Sequence, residues 1–273
     1  MYEGQARSQA LGYATSTLTL AGIAFPLLGG LVGAHHWQYT FYLYGVGLPL
    51  ALLAALMLRQ NPSSQIKATT AEPSYKFRQV LGHHQTIWLL LTLGLASVVM
   101  YSVVVYAPMY LKATIRAGSV VNGIVLASRA IGAAVVSAFL ARRLSQTLGL
   151  SKATAIGFGL MALTLGTIPL LRQLSWILLT AVLFGAGFGI VLPNLYNALA
   201  NLSPAKLRSS VLAAGTGAGF LGQFLSPILL GSLLHKKGLE GVFYAAASLS
   251  LIAGVLLLLF GNRLDSVRAN PVN

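Results

Sequence analysis

One arginine stands where a charge is most costly. Arg129 lies in the middle of the otherwise uncharged run IVLASRAIGAAVV, residues 124–136. At mid-depth in a bilayer an arginine costs roughly 2.5–3.5 kcal/mol on an insertion scale, and such residues face protein or water rather than lipid. Asn122 comes seven residues earlier, two helical turns away, so both fall on one face. A cavity arginine would attract an anionic group of a bound solute or pair with a carboxylate. A structural arginine would bond to backbone carbonyls or extend its stem toward the membrane surface. The spacing leaves both readings open.

A second set of polar groups is the amide cluster in LPNLYN, residues 192–197, followed by Asn201. Asn194, Asn197 and Asn201 step by three and four, which places them on one helical face. Buried amides need hydrogen-bond partners, so this face either lines a wet cavity or makes polar contacts inside a helix bundle. Gln223, one turn before Pro227, carries the same two readings. Tyr101, Tyr106 and Tyr110 either line the mouth of a cavity or anchor a helix at the membrane interface.

Other chemistries find no support. The acidic residues are Glu3, Glu72, Glu240 and Asp265, and all fall in loops or tails, as do the five histidines. The spans therefore hold no carboxylate or imidazole proton carrier, and proton coupling would need a carboxylate from elsewhere. The pairs His35–His36 and His83–His84 have no acidic or cysteine neighbour, so they read as loop residues and not as metal ligands. The strings GAGFG at 185–189 and GTGAGFLG at 215–222 lack the lysine–serine or lysine–threonine pair of a phosphate loop. There is no cysteine and no H-E-x-x-H. The expectation is a protein that is not an enzyme, with no metal and no cofactor.

The elements that position these residues follow from composition. Of 273 residues 56% are apolar and 8% charged, against about 25% charged in soluble proteins. Uncharged stretches of about 20 residues read as membrane-spanning helices, and eight are expected, at 11–34, 39–58, 86–107, 119–140, 153–171, 175–200, 208–234 and 241–260. The net charge of +14 sits in short loops, which suits anionic lipid headgroups and not nucleic acid. The start of the chain, MYEGQARSQ, is too polar for a signal-peptide core. With both termini assigned to the cytoplasm, twelve Lys and Arg fall on that side and five opposite. That distribution favours this orientation.

Glycines four apart recur at Gly29 and Gly33, Gly185 and Gly189, and Gly215 and Gly219, a spacing that lets helices approach closely in lipid. The run from Gly22 to Gly33 also holds Pro26, which weakens the backbone ladder and permits a kink. An internal repeat places Arg7, Pro26, Gly30 and Phe41 against Arg208, Pro227, Gly231 and Phe243, at offsets of 201, 201, 201 and 202. Spans one and two thus correspond to spans seven and eight, and the unit is six spans long.

On these residues the chain resembles helices five through twelve of a major facilitator superfamily transporter, N-terminally truncated. GIAFPLLGG at 22–30 resembles the antiporter motif of the fifth helix. HWQYTF at 36–41 resembles the start of the sixth, with Gln38 where a basic residue is usual. FLARRLSQTLG at 139–149 resembles the loop between helices eight and nine, with Gln146 where an aspartate is often found. The resemblance implies an all-α polytopic bundle of eight transmembrane helices in the inner membrane. It divides the chain into a remnant of the N-terminal half at 1–58, a flexible cytoplasmic linker at 59–85, a complete six-helix half at 86–260 and a tail at 261–273. It implies alternating-access transport of a small solute, with drug-like or organic anion efflux among the family's possibilities. The coupling ion would then be the proton or another ion with a gradient. The alternative is a truncated or non-transporting membrane protein that assembles with a homologous chain or fragment supplying four helices.

Overall fold

Away from water, a backbone satisfies its own polar groups most simply by forming helices, and long uncharged runs do so here. The computed structural model describes residues 4–57, 73–204 and 207–261, and the regular structure among them is helical throughout. In chain order it comprises α1 (Gly4–Gly33), a 3₁₀ helix at Trp37–Val46, α2 (Gly47–Met57), α3 (Pro73–Gly82), α4 (His84–Ile115) and α5 (Ser119–Phe139). These are followed by α6 (Ala141–Leu148), α7 (Leu150–Thr167), a 3₁₀ turn at Ile168–Leu170, α8 (Leu174–Asn201) and α9 (Arg208–Phe260).

Among the described residues six segments are long and apolar enough to cross a membrane, where the sequence led us to expect eight. Two causes account for the difference. Of α1 only the stretch Leu20–Gly33 is counted, although its run without a charged residue begins at Ser8. The last two expected spans run together in α9, whose 53 residues would measure about 80 Å as one rod, far beyond a hydrocarbon layer of about 30 Å. That rod is interrupted at Gly238, with φ 68° and ψ −172°, a conformation that glycine adopts without a Cβ penalty. The break separates arms 208–237 and 239–260, close to the boundary read from hydropathy.

Helix α4 packs along α9, α7 lies against α8 and α9, and α5 sits between α8 and α1. Lipid gives helices little solvent-driven reason to associate, so close van der Waals contact and interhelical hydrogen bonds carry the packing. The core contains Leu93 and Val99 of α4, Phe158 and Met161 of α7, Phe184 of α8 and Phe243 of α9. Hydroxyls bond across helices to backbone carbonyls: Ser226 to Val98 at 2.9 Å, Ser250 to Phe158 at 2.8 Å and Tyr110 to Pro169 at 2.9 Å. Leu91, Leu163 and many other large apolar side chains point outward, as a lipid-facing surface requires.

Two expectations change in detail. The span at 39–58 begins as a 3₁₀ helix over Trp37–Val46 and becomes α-helical only at Gly47. Its aromatic residues are indifferent α-helix formers, and a 3₁₀ turn brings residues three apart into line. His36 meets Tyr39, Tyr39 meets Tyr42 and Phe41 meets Tyr44 in this way. No residue from Trp37 to Leu56 is buried, so no packing neighbour imposes the α form. The interval read as a flexible linker is helical over Pro73–Gly82, where Phe77 and Val80 rest on the core. The rest of that interval before Pro73, and the tail after Gly261, lie outside the described residues.

Candidate functional site

Helix α5 is held from two sides by contacts that only glycine allows. Any Cβ on Gly185 of α8 would collide with the Arg129 carbonyl oxygen, and any on Gly189 with that of Ala133. On the other side α1 crosses α5 at Gly30 and Gly123. A Cβ added to Gly30 would lie 2.7 Å from the Ser119 carbonyl oxygen, and one on Gly123 would lie 2.5 Å from that of Pro26. The backbone around Arg129 is thus fixed against α8 and α1 together.

Between these helices lies a cavity of about 290 Å³. From α5 it is lined by Arg129, Ala130, Ala133, Ala134 and Ser137. Phe188, Gly189, Leu192 and Pro193 come from α8, Met100 from α4 and Gly22 from α1. Arg129 and Ser137 are the polar side chains on this wall. The Arg129 Nε is buried without a hydrogen-bond partner among the described residues. The one acidic residue described, Glu240, stands two positions after the Gly238 break and not on the cavity wall. Leaving a buried charged donor unpaired is expensive, so the wall favours whatever brings an acceptor to it.

The two glycines in the wall share a further property. Gly22 stands four residues before Pro26, and Gly189 four before Pro193, each proline lying inside its helix. Proline has no N–H to return to the carbonyl four residues back. Both cavity glycines therefore keep a backbone acceptor outside the usual helical ladder.

Of the residues singled out from sequence, Arg129, Gly22 and Gly189 line the cavity. Asn122 does not, although its Oδ1 is likewise buried and unpartnered. Asn194 is 1% exposed with an unpartnered Nδ2, whereas Asn197 and Asn201 are exposed, so the three amides do not form one inward surface. Gln223 and Tyr101 are half-buried and off the wall. Tyr106 is buried and its hydroxyl donates to the Pro227 carbonyl at 3.4 Å, which makes it an interhelical tie and not a lining of the mouth. Gly29 and Gly33 approach Thr40, Gly215 packs on Leu199 and Leu93, Gly219 faces Ser97, and Gly231 faces the Tyr106 hydroxyl. The sequence reading missed Met100, Phe188 and the stripe Ala130, Ala133, Ala134 and Ser137. That stripe has the i, i+3, i+4, i+7 spacing of one helix face and was open to detection.

The family model described as Major Facilitator Superfamily matches residues 1–144 and 115–273, which together cover the chain. The chain belongs to the major facilitator superfamily. It is a multi-pass helical membrane protein of this transporter family and not an enzyme. A member from Bacillus subtilis, the uncharacterized MFS-type transporter YuxJ, is 26% identical over 272 residues, covering 94% of this chain and 68% of its own length. Two plant proteins match shorter stretches. Probable anion transporter 5 of Arabidopsis thaliana is 29% identical over 113 residues, 41% of this chain and 25% of its own. Probable anion transporter 7 of rice is 29% identical over 119 residues, 43% of this chain and 27% of its own. The chain thus spans about two thirds of the bacterial relative and about a quarter of each plant relative.

Proposed function

We propose that the chain carries a small anionic solute across the inner membrane by alternating access, with Arg129 as the group that holds the anion. The observation that carries this reading is Arg129 in the wall of a cavity shared by α1, α4, α5 and α8, with its buried Nε left without a partner among the described residues. Facilitators of this kind alternate by moving one bundle against another around a central site. Here α1 belongs to the first repeat and α5 to the second, and their glycine crossing beside the cavity suits such a movement. Counting α1 and both arms of α9 makes eight crossings, with both termini in the cytoplasm. The names of the two plant relatives agree with an anionic solute, drug-like or organic, and export is the direction proposed. Energy would come from an ion gradient, with the proton as the candidate ion.

Uptake of a labelled organic anion such as benzoate into proteoliposomes, with and without an imposed pH gradient, tests this. Flux should fall at least tenfold in Arg129→Gln and recover in part in Arg129→Lys. Equal flux in Arg129→Gln, or no flux of any anion through folded wild-type protein, would overturn it.

A second reading is favoured by one observation. On the outward side of α9, beside Pro227–Gly231, the side chains of Phe220, Phe224 and Ile228 are 64%, 65% and 56% exposed. On that reading the α9 face receives helices from a homologous chain or fragment supplying four helices. Native mass spectrometry from membranes would show the added mass, and a lone 28.7 kDa chain that transports would dismiss it.

A further inference from the structure

The cavity wall also restricts which anions fit. We infer that the Arg129 cavity takes an organic monoanion with an apolar body, one carboxylate head against the guanidinium and the body along Phe188 and Met100. This rests on the anion-carrier reading above and narrows it.

Charge count comes first. Among the described residues the wall supplies a single cation and no second basic side chain. A dicarboxylate or inorganic phosphate would bring a second charge against alanine, leucine and phenylalanine, where it would be stripped of water without a partner. A planar guanidinium matches a planar carboxylate through two parallel hydrogen bonds, and Arg129 brings that group to the wall. Wall chemistry comes next. Phe188, Met100, Leu192 and Pro193 give an aromatic and aliphatic surface, with a polarisable thioether suited to a ring or alkyl chain. Small residues at 130, 133 and 134 leave the space open opposite that surface. Size sets the limit, because about 290 Å³ lies at the low end of ligand cavities, roughly 300–1,000 Å³.

The test is binding to the full chain in lipid nanodiscs, by calorimetry, with butyrate, pentanoate, hexanoate, benzoate, succinate, inorganic phosphate and palmitate. Affinity should tighten about fourfold per added methylene from butyrate to hexanoate, the increment expected for burying one methylene. It should stop rising once the body fills the cavity, so palmitate gains nothing over hexanoate. Succinate and phosphate should bind at least tenfold more weakly than hexanoate. Ala134→Leu keeps the arginine and shrinks the space, and it should move the point where affinity stops rising to a shorter acid. Arg129→Gln should weaken every member of the series.

Succinate or phosphate binding as tightly as hexanoate, and lost in Arg129→Gln, would overturn this inference while leaving the anion-carrier reading standing. A rise continuing to palmitate and indifferent to Ala134→Leu would show an acyl chain lodged in lipid and would overturn it too. No binding of any anion by folded wild-type protein would remove both readings.

Discussion

Replacing Gly123 or Gly30 by alanine should weaken the docking of α1 on α5, by an amount set by their crossing. A Cβ on Gly123 would lie 2.5 Å from the Pro26 carbonyl oxygen and 3.2 Å from the Gly30 Cα. One on Gly30 would lie 2.7 Å from the Ser119 carbonyl oxygen and 3.1 Å from the Gly123 Cα. All four are backbone atoms, so no side chain can rotate aside. Ordinary contact begins at 3.4 Å, and the helices must part by about 0.9 Å for Gly123→Ala and about 0.7 Å for Gly30→Ala. Forcing extra atoms into a packed contact costs about 1–3 kcal/mol. Exchanging glycine for alanine within a helix returns about 0.5–1 kcal/mol. Each variant should therefore lose about 0–2.5 kcal/mol, centred on about 1 kcal/mol. The double variant should lose less than the sum, because the first separation makes room for the second methyl. Gly22 is the internal control, since a Cβ there has nothing within 4 Å. Gly22→Ala should stabilise by about 0.5–1 kcal/mol. Reversible unfolding in mixed micelles, followed by circular dichroism, gives these values. If all three variants shift stability in the same direction, the close crossing of α1 and α5 is refuted.

Three further outcomes are expected. Ser226→Ala removes a fully buried hydroxyl bond to the Val98 carbonyl at 2.9 Å and should cost about 0.5–1.5 kcal/mol in the same unfolding assay. Gly238→Ala forces a Cβ onto a φ of 68° and should cost about 1–3 kcal/mol, while Gly217→Ala, helical and with nothing within 4 Å, should stabilise by about 0.5–1 kcal/mol. Tyr106→Phe loses only a long bond to Pro227, so anion flux in proteoliposomes should stay within about twofold of wild type, a loss of well under 1 kcal/mol. A large loss of flux there would return Tyr106 to the solute pathway.

Arg129 was legible in the sequence because a lone charge amid twelve apolar and small residues has few physical explanations. The break within α9 was legible for a similar reason, since the hydropathy lapses around His235–Glu240 and Gly238 lies inside that lapse. Facing was harder to read. Asn194 and Asn197 are three residues apart, a rotation of about 300°, and the neighbours decide which amide is buried. Asn194 turns into the bundle and Asn197 does not. Tyr106 stands near a span end, as an anchoring tyrosine would, yet a carbonyl 121 residues away takes its hydroxyl. The cavity itself is contributed by four helices. Nothing local to Met100 or Phe188 shows that both approach Arg129. The Gly30–Gly123 crossing was not marked by the four-residue spacing of Gly29 and Gly33, whose faces meet Thr40 and Ser119 at ordinary contact, and falls instead on Gly30 and Pro26.

The chain has no cysteine, so a single one can be placed on the cavity wall without background labelling. Ala130→Cys, labelled with a membrane-impermeant thiol reagent in proteoliposomes, reports directly whether the cavity is open to water and whether Arg129 holds an anion there. Labelling of Ala130→Cys should be slowed at least fivefold by hexanoate, and Arg129→Gln in the same background should abolish that protection. A thiol that never reacts from either side of the membrane, or protection that persists without the arginine, would contradict the account.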